Sequence, residues 1–589
     1  MSAHANATPD ELLARFGLRE FRPGQREAVR AALEGRDSLV VMPTGGGKSL
    51  CYQLPALAGE DLVVVVSPLI ALMADQAQRL SCAGVSATML ASGMADGHNE
   101  QALRDIASGT SRLVLAAPER FSSAAFREAL ARRAVSLFVV DEAHCVSEWG
   151  HDFRPDYLRL AEVIASLRRP PVMAATATAT PRVAVEIAER LGLRDPVVVR
   201  SGFERANLAF DVVSVEGKGA LARKWAALTH VLGDARARPA IVYAGTRKDT
   251  EELAQRIAGE GIATVAYHAG MAAGARAESQ AAFMDGAAEV VVATNAFGMG
   301  VDKSDVRTVA HWALPTSLEA YYQEAGRGGR DGAPARALLL AARMDLGRLI
   351  RFITERETTV ADVRAFVGAL RERSGEQRVA TIARGALSDR ERILLSIAER
   401  AGAVELAPAP GGALSVQLTG RGSPRKAWAA IKIAKDRGWE CYRSIERFIT
   451  LEQCRRRQIL DHFGDGSECA PSGRCCDVCD SDHALEGAVA AVATSPRARR
   501  ARLKSRAQDT APREPVDDEQ FERLRSWRRA RANGKPAYTV AADATLEEVL
   551  RVRPRTLEDL GEIRGIGPAF CASHGTSLLR ELARWHPVS

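Results

Sequence analysis

The sequence predicts an α/β protein with two parallel-sheet lobes, followed by a helical region that carries a cysteine cluster and then a small all-α C-terminal domain. Three observations carry that prediction. Between Asp37 and about residue 199, short β-branched runs (SLVVM, DLVVVVS, RLVLAAP, LFVVDEAH, PPVMAATAT) alternate with longer amphipathic segments. Runs this uniformly apolar read as strands buried on both faces of a sheet flanked by helices. The alternation restarts between Pro239 and Leu340 (AIVYAG, ATVAYHAG, EVVVATNA, TVAHWAL, ARALLLAA) without a second glycine-rich loop. Beyond Arg343 the pattern turns helical, and Cys454, Cys469, Cys475, Cys476 and Cys479 crowd one short segment.

Composition sets the outer bounds. The chain has 589 residues, of which 46% are hydrophobic, 26% charged and 5% aromatic. These values exclude a fibrous or wholly disordered protein, and the length suggests about four domains. Met1 to Asp10 lacks the charged-then-apolar pattern of a signal peptide, and no apolar run approaches the length that spans a bilayer. The expectation is a cytoplasmic protein with no membrane partner. Ten cysteines are too few for a disulfide scaffold, and in a reducing compartment their clustering points to metal. The formal charge of +7 decides little: arginine outnumbers lysine about seven to one, as GC-rich coding alone would produce. Where the arginines sit matters more than how many there are.

The expected organisation is a first lobe over residues 1–205, a second over 206–345, a helical region over 346–450, a cysteine module over 451–482, a basic linker over 483–513 and a helical domain over 514–589. Within 346–450, Ser388 to Gly420 reads as a helix, a turn and a two-stranded wing, or else as a plain helical spacer. The linker contains PRARRARLKSR, a flexible basic composition.

Met42 to Ser49, MPTGGGKS, lies between a strand and a helix-like run, the context that a phosphate loop requires. Thr44, Gly45, Gly46 and Gly47 would let backbone N–H groups approach phosphate, Lys48 would neutralise the β and γ oxygens, and the Ser49 hydroxyl would ligate Mg²⁺. DEAH at 141–144 follows the strand LFVV. Asp141 would hold Mg²⁺ while Glu142 orients and deprotonates the attacking water, so the chemistry is transfer of a phosphoryl group from a nucleoside triphosphate such as ATP to water. In the second lobe YYQEAGRGGRDG carries Arg327 and Arg330 on a helix-like segment, three residues apart and therefore on one face. Arginines reaching the γ-phosphate stabilise charge in the transition state.

Directly after DEAH, CVSEWGHDFRPDY gathers Trp149, His151, Phe153 and Arg154 in a chain poor in aromatics. Unpaired bases stack on such rings, and Arg154 would hold a phosphate. Cys454, Cys469, Cys476 and Cys479 are spaced C-x14-C-x6-C-x2-C, which suits a closed, structural Zn²⁺ site. Cys475 competes with Cys476 for one position, and an iron–sulfur cluster competes with zinc.

Taken in order and spacing, these segments resemble the superfamily 2 helicases, and more closely the RecQ family. SPLIALMADQ, APERF, TAT, AIVYAGTRK, AYHAGM and VVVATNAFGMGVDKSDVR add to the likeness. The resemblance implies two RecA-like lobes and ATP-dependent unwinding of DNA with 3′ to 5′ polarity in recombination and repair. An ATP-driven translocase or annealing factor, or a zinc-containing scaffold with a switch-like ATP site, are the alternatives. FGLREFRPGQREAV resembles the family's adenine-recognition segment, which implies that Gln25 bonds the adenine edge and Arg22 stacks on its face. Leu18 stands where the family commonly has an aromatic residue. The likeness further implies that Asp302 faces the triphosphate cleft, that Thr176 and Thr178 link hydrolysis to lobe movement, and that Ser67 and Thr294 touch DNA phosphates. CDVC matches the family's last zinc-binding pair, which favours Cys476.

The C-terminal segment resembles an HRDC domain through PAYTVAADATLEEVL and LGEIRGIGPAF, with Tyr538 as a candidate contact to single-stranded DNA. Single-stranded and forked duplex DNA are the expected partners, together with a single-strand-binding protein, and the expected state is a monomer. One departure stands out: the winged-helix domain that the family usually carries between zinc module and HRDC is replaced by the basic linker, whereas the stretch before Cys454 is longer than usual.

Overall fold

The computed structural model describes residues 7–68, 70–91, 97–147, 157, 160–298, 303–383, 386–409, 413–494, 517–532, 540–563, 566–567 and 570–584. Among the residues expected in the site, Trp149, His151, Phe153, Arg154, Asp302 and Tyr538 lie outside this set. The chain divides into a large unit, Met1–Ala493, and a small one, Thr494–Ser589.

The first sheet of the large unit contains β1 (Ser38–Val41), β2 (Leu62–Val66), β3 (Ala87–Leu90), β4 (Leu113–Ala116), β5 (Val135–Val140), β6 (Val172–Thr176) and β7 (Val197–Arg200). Its order is β3-β4-β2-β5-β6-β1-β7 and every pairing is parallel. Every residue of β1, β2, β4 and β6 is buried, because helices cover both faces and each side of the strand meets apolar neighbours. This order sets the C-terminal ends of β5, β6 and β1 side by side. DEAH, TAT and the glycine loop therefore emerge at one edge of the sheet, where ligands bind in open α/β folds.

The second sheet comprises β8 (Leu208–Val215), β9 (Ala240–Tyr243), β10 (Thr264–Tyr267), β11 (Val290–Ala293), β12 (Thr308–His311) and β13 (Ala335–Ala342), in the order β10-β11-β9-β12-β13-β8, again parallel throughout. After β12 the helix Leu318–Ala325 is capped by the Ser317 hydroxyl, which accepts from Ala320 N, and it ends at Gly326. Arg327 and Arg330 thus sit in the turn beyond the helix. The expected helical placement is corrected here, since glycines at 326, 328 and 329 make continuation of the helix costly.

The region before the cysteine module is not purely helical. β14 (Val379–Ile382), β15 (Val404–Pro408) and β16 (Leu414–Leu418) form an antiparallel sheet ordered β14-β16-β15. Helices Val360–Ser374, Asp389–Arg400 and the first turns of Pro424–Thr450 pack against it around Leu370, Leu395, Ala398, Val404, Val416 and Ala427. The Ser388 hydroxyl caps the middle helix, with Glu391 completing a capping box. β14 adds a third strand to this helix and hairpin, and no alternation in the sequence announced it.

The cysteine module folds onto the open edge of the second sheet. Phe210 N donates to the Cys475 carbonyl and Phe210 bridges Cys476 in parallel register, which extends β8 by one short step. Asp211, fully buried, receives Arg336 from β13 (2.5 Å) and Arg474 from the module (2.9 Å). Arg456, also buried, bonds Glu204 and the carbonyls of Arg205 and Leu208. Charges this deep persist only when paired, and removal of one partner is far costlier than the pair is stabilising.

The small unit is helical where described: Asp518–Arg531, Asp543–Val552, Leu557–Glu562 and Thr576–Ala583 enclose Leu524, Trp527, Leu546, Val549, Leu560 and Leu578.

Candidate nucleotide site and cysteine centre

The glycine loop follows β1 and leads into the helix Leu50–Gln53. Gly47 has φ +78° and lies so close to Gln25 that a Cβ would stand 2.4 Å from its Nε2, so only glycine fits. Gln25 donates to the carbonyls of Gly46 (3.2 Å) and Gly47 (3.0 Å) and accepts from Arg22 N (2.8 Å). Arg22 donates to the Gly45 carbonyl. Both residues expected on adenine are therefore engaged with carbonyls of the loop itself. Lys48 Nζ lies 3.4 Å from the Met42 carbonyl. The Thr44 hydroxyl is buried without a hydrogen-bond partner among the described residues, an orphaned group of the kind a bound phosphate or ion satisfies.

Asp141 follows β5 and is buried. Burial and the adjacent Glu142 carboxylate push its pKa up to about 7, against the opposing pull of Lys48. Two carboxylates opposed by one lysine form a donor set that suits a divalent cation, whose charge would restore the ionised form. Glu142 adopts left-handed backbone geometry, φ 49° and ψ 46°, a strained conformation for a residue with a Cβ. His144 Nδ1 then lies 3.3 Å from Glu142 Oε2 and 2.9 Å from Thr176 Oγ1, at the end of β6. Thr176 Oγ1 also accepts from Thr178 N (3.3 Å). A continuous polar path thus runs from the acidic motif to the TAT motif.

Ser67 is buried, and its hydroxyl donates to Asp141 Oδ2 at 3.3 Å. Tyr157, from the aromatic-rich segment, is likewise buried and donates to the Asp141 carbonyl (3.2 Å). Thr294, at the end of β11, is half-buried, and its hydroxyl accepts from Ala296 N at 3.4 Å.

The arginine turn of the second lobe meets this loop. Arg330 Cγ is 3.6 Å from the place a Cβ on Gly45 would occupy. Arg327 is buried against Gly298 and bonds Tyr243, whose phenol is pushed up to about 12 by burial. Arg205, in the connection between the sheets, donates to the carbonyls of Gly326 (3.0 Å), Gly328 (2.7 Å) and Thr44 (3.4 Å). Burial holds its pKa below the usual guanidinium value. One cation thereby fastens the arginine turn to the phosphate loop. Neither Arg205 nor His144 stood out from sequence: Arg205 occupies an unremarkable connection, and His144 was legible only as the last letter of DEAH.

In the cysteine centre, the Sγ atoms of Cys454, Cys475, Cys476 and Cys479 lie within 4.8 Å of one another. Cys475 takes the place expected for Cys469. Cys469 lies close enough to Cys454 to share a hydrogen bond with it but falls outside this group of four. The reason is local: the Cys475–Cys476 step continues the bridge to β8, while Cys475 N donates to Asp480 Oδ2 (2.6 Å), so both thiols turn inward. Four thiols with no open position suit a soft, tetrahedral structural ion.

Residues 22–187 match the DEAD/DEAH box helicase family, 223–332 the helicase conserved C-terminal domain and 517–582 the HRDC domain. The chain is 32% identical over 595 residues to the ATP-dependent DNA helicase RecQ of Pasteurella multocida, an alignment covering 95% of this chain and 90% of that protein. It is 40% identical over 344 residues to the RecQ helicase of Haemophilus influenzae and 41% identical over 342 residues to that of Bacillus subtilis, covering 58% of this chain in both cases and 55% and 57% of those proteins. The chain therefore spans little more than half the length of the latter two. The solved DEAD-box helicase Mss116 bound to ssRNA and UDP-BeF is similar in fold, with a TM-score of 0.50 and 17% identity over 60% of this chain and 77% of that one.

Proposed function

The chain belongs to the RecQ family of DNA helicases, and from that premise we propose that it hydrolyses ATP to drive 3′ to 5′ unwinding of single-strand-tailed and forked DNA in recombination and repair. The observation that carries the reading is the seating of the Arg330 turn against the Gly45 loop, because it brings both halves of a phosphoryl-transfer site together.

In this reading the backbone N–H groups of Gly45 to Lys48 hold the β-phosphate and Lys48 balances its charge. Ser49 and Asp141 would hold Mg²⁺, which supplies charge neutralisation on the β and γ oxygens. Glu142 orients the attacking water and takes its proton. Arg327 and Arg330 approach the γ-phosphate, and Arg205 keeps their turn in register with the loop. Gln25 and Arg22 pass adenine binding to the loop they already touch. His144 carries a change at Glu142 to Thr176 and onward to the strand-holding surface. Asp302, Thr294, Tyr538 and the segment of Trp149, His151, Phe153 and Arg154 are assigned by family likeness. Zn²⁺ is the proposed ion of the cysteine centre, with Cys469 and Cys475 as rivals for the fourth position, and the protein is proposed to work as a cytoplasmic monomer beside a single-strand-binding protein.

The test is DNA-stimulated ATPase and unwinding of a 3′-tailed duplex, wild type beside Lys48→Ala, with ATP and with a non-hydrolysable analogue. The reading requires unwinding by wild type with ATP alone. Unwinding by Lys48→Ala overturns the mechanism, and stimulated hydrolysis without strand separation favours a translocase or annealing factor. Trp149→Ala is expected to retain ATP binding and lose most of the stimulation by DNA.

A further inference from the structure

The small antiparallel domain of β14–β16 carries a surface that the ATP machinery does not use. Trp428, on the first turns of the helix Pro424–Thr450, is 57% exposed, the most open aromatic side chain among the described residues. Its neighbours on the same helix are basic. Arg425 precedes it by three positions and Lys432 follows by four, so all three share one face, and the Lys432 ammonium lies 5.5 Å from the Trp428 ring centre. Lys426 projects from another side of the helix, whereas Arg421 lies in the turn that enters the helix, and the Arg378 guanidinium lies against Gly420 in that same turn. Arg378, Arg421, Arg425 and Lys426 are all exposed and none has an ion-pair partner among the described residues. Along the helix no acidic residue appears before Asp436.

Exposure of a large indole costs free energy in water, and unpaired cations grouped around it repel one another. Both costs are relieved by one kind of ligand: a polyanion whose charges are spaced along a chain of flat, apolar rings. We propose that this surface is an accessory binding site for a single strand of nucleic acid, with a base stacked on Trp428 and the flanking phosphates held by Arg425, Lys432, Arg421 and Arg378. The proposal rests on the helicase reading only for its choice of DNA as the strand. Stacking on an exposed ring favours unpaired bases over a duplex, whose bases already stack on each other. The site gives the enzyme a second grip on the strand, outside the two lobes, so it raises affinity without altering the turnover of ATP.

The full-length protein is titrated with fluorescent oligothymidylate and, separately, with a blunt duplex, and the DNA concentration that half-saturates ATPase is measured. Trp428→Ala is expected to bind oligothymidylate about tenfold more weakly and to need correspondingly more DNA, with kcat at saturating DNA unchanged. Trp428→Phe retains most of the affinity, because an aromatic face survives. The Arg421→Ala/Arg425→Ala variant lowers the slope of log affinity against log salt by about 1.4, the value for two lost phosphate contacts on a single strand. Wild-type affinity and salt slope in Trp428→Ala and in the double variant overturn the proposal, as does a loss confined to the blunt duplex. Binding is read directly and without nucleotide, so absence of stimulated hydrolysis in the wild type would count against the helicase reading while the titration still decides this one.

Discussion

The two lobes share one architecture and divide the chemistry unequally. Each is a parallel sheet whose central strands are buried on both faces, and each delivers its loops at the C-terminal ends of its strands. The first lobe places a glycine loop, a lysine and two carboxylates there; the second places tyrosine, glycine and arginine. Strand order sets where a loop emerges, and a few loop residues set what it does. The first lobe can bind and position a triphosphate, whereas the second can stabilise the charge that moves during its cleavage. Arg205 belongs to neither sheet and ties the two contributions together.

Substitutions can break that division of labour. Arg330→Ala should lower DNA-stimulated kcat by about 10³ while leaving ATP affinity near wild type, as measured by steady-state hydrolysis beside fluorescent-nucleotide binding. A large loss of affinity instead would move Arg330 into ground-state binding. Glu142→Gln should reduce hydrolysis by about 10² to 10³ with nucleotide still bound, because the amide orients water but takes no proton. His144→Ala should have a smaller effect, about tenfold, falling mainly on stimulation by DNA; equal losses with and without DNA would remove its linking role. Asp211→Asn leaves Arg336 and Arg474 without their shared carboxylate, with a cost of about 3 kcal/mol in denaturant unfolding of the lobe that carries them. Finally, Cys475→Ser and Cys469→Ser separate the two candidate ligand sets: on the geometry seen here the first loses bound zinc in elemental analysis and the second keeps it.

Much of this was legible in the chain. β-branched runs announced the two sheets because a strand covered on both faces leaves no room for polar residues. The glycine loop and DEAH were legible because phosphate and metal chemistry restricts residue type and spacing together. What escaped depends on contacts between distant segments. Gln25 and Arg22 read as adenine ligands, yet their hydrogen bonds go to carbonyls more than 20 positions along the chain. Ser67 read as a DNA contact, and only the pairing of β2 with β5 sets it beside Asp141. The sequence set Cys475 against Cys476 for one position, whereas in the fold both join the group and Cys469 falls outside it, because the Cys475–Cys476 step bridges Phe210, a contact that no cysteine count contains. β14 is short and half-exposed, and its partner β16 lies more than 30 residues away.

That bridge has a consequence for the life of the protein before and after it is folded. β8 closes one end of the second sheet, and an uncovered end strand is a template on which other chains can add themselves. The cysteine module lies across part of it, at Phe210 and Val212. If the four thiols hold an ion as proposed, that ion would help keep the edge covered, and its removal would be expected to show first as insoluble protein.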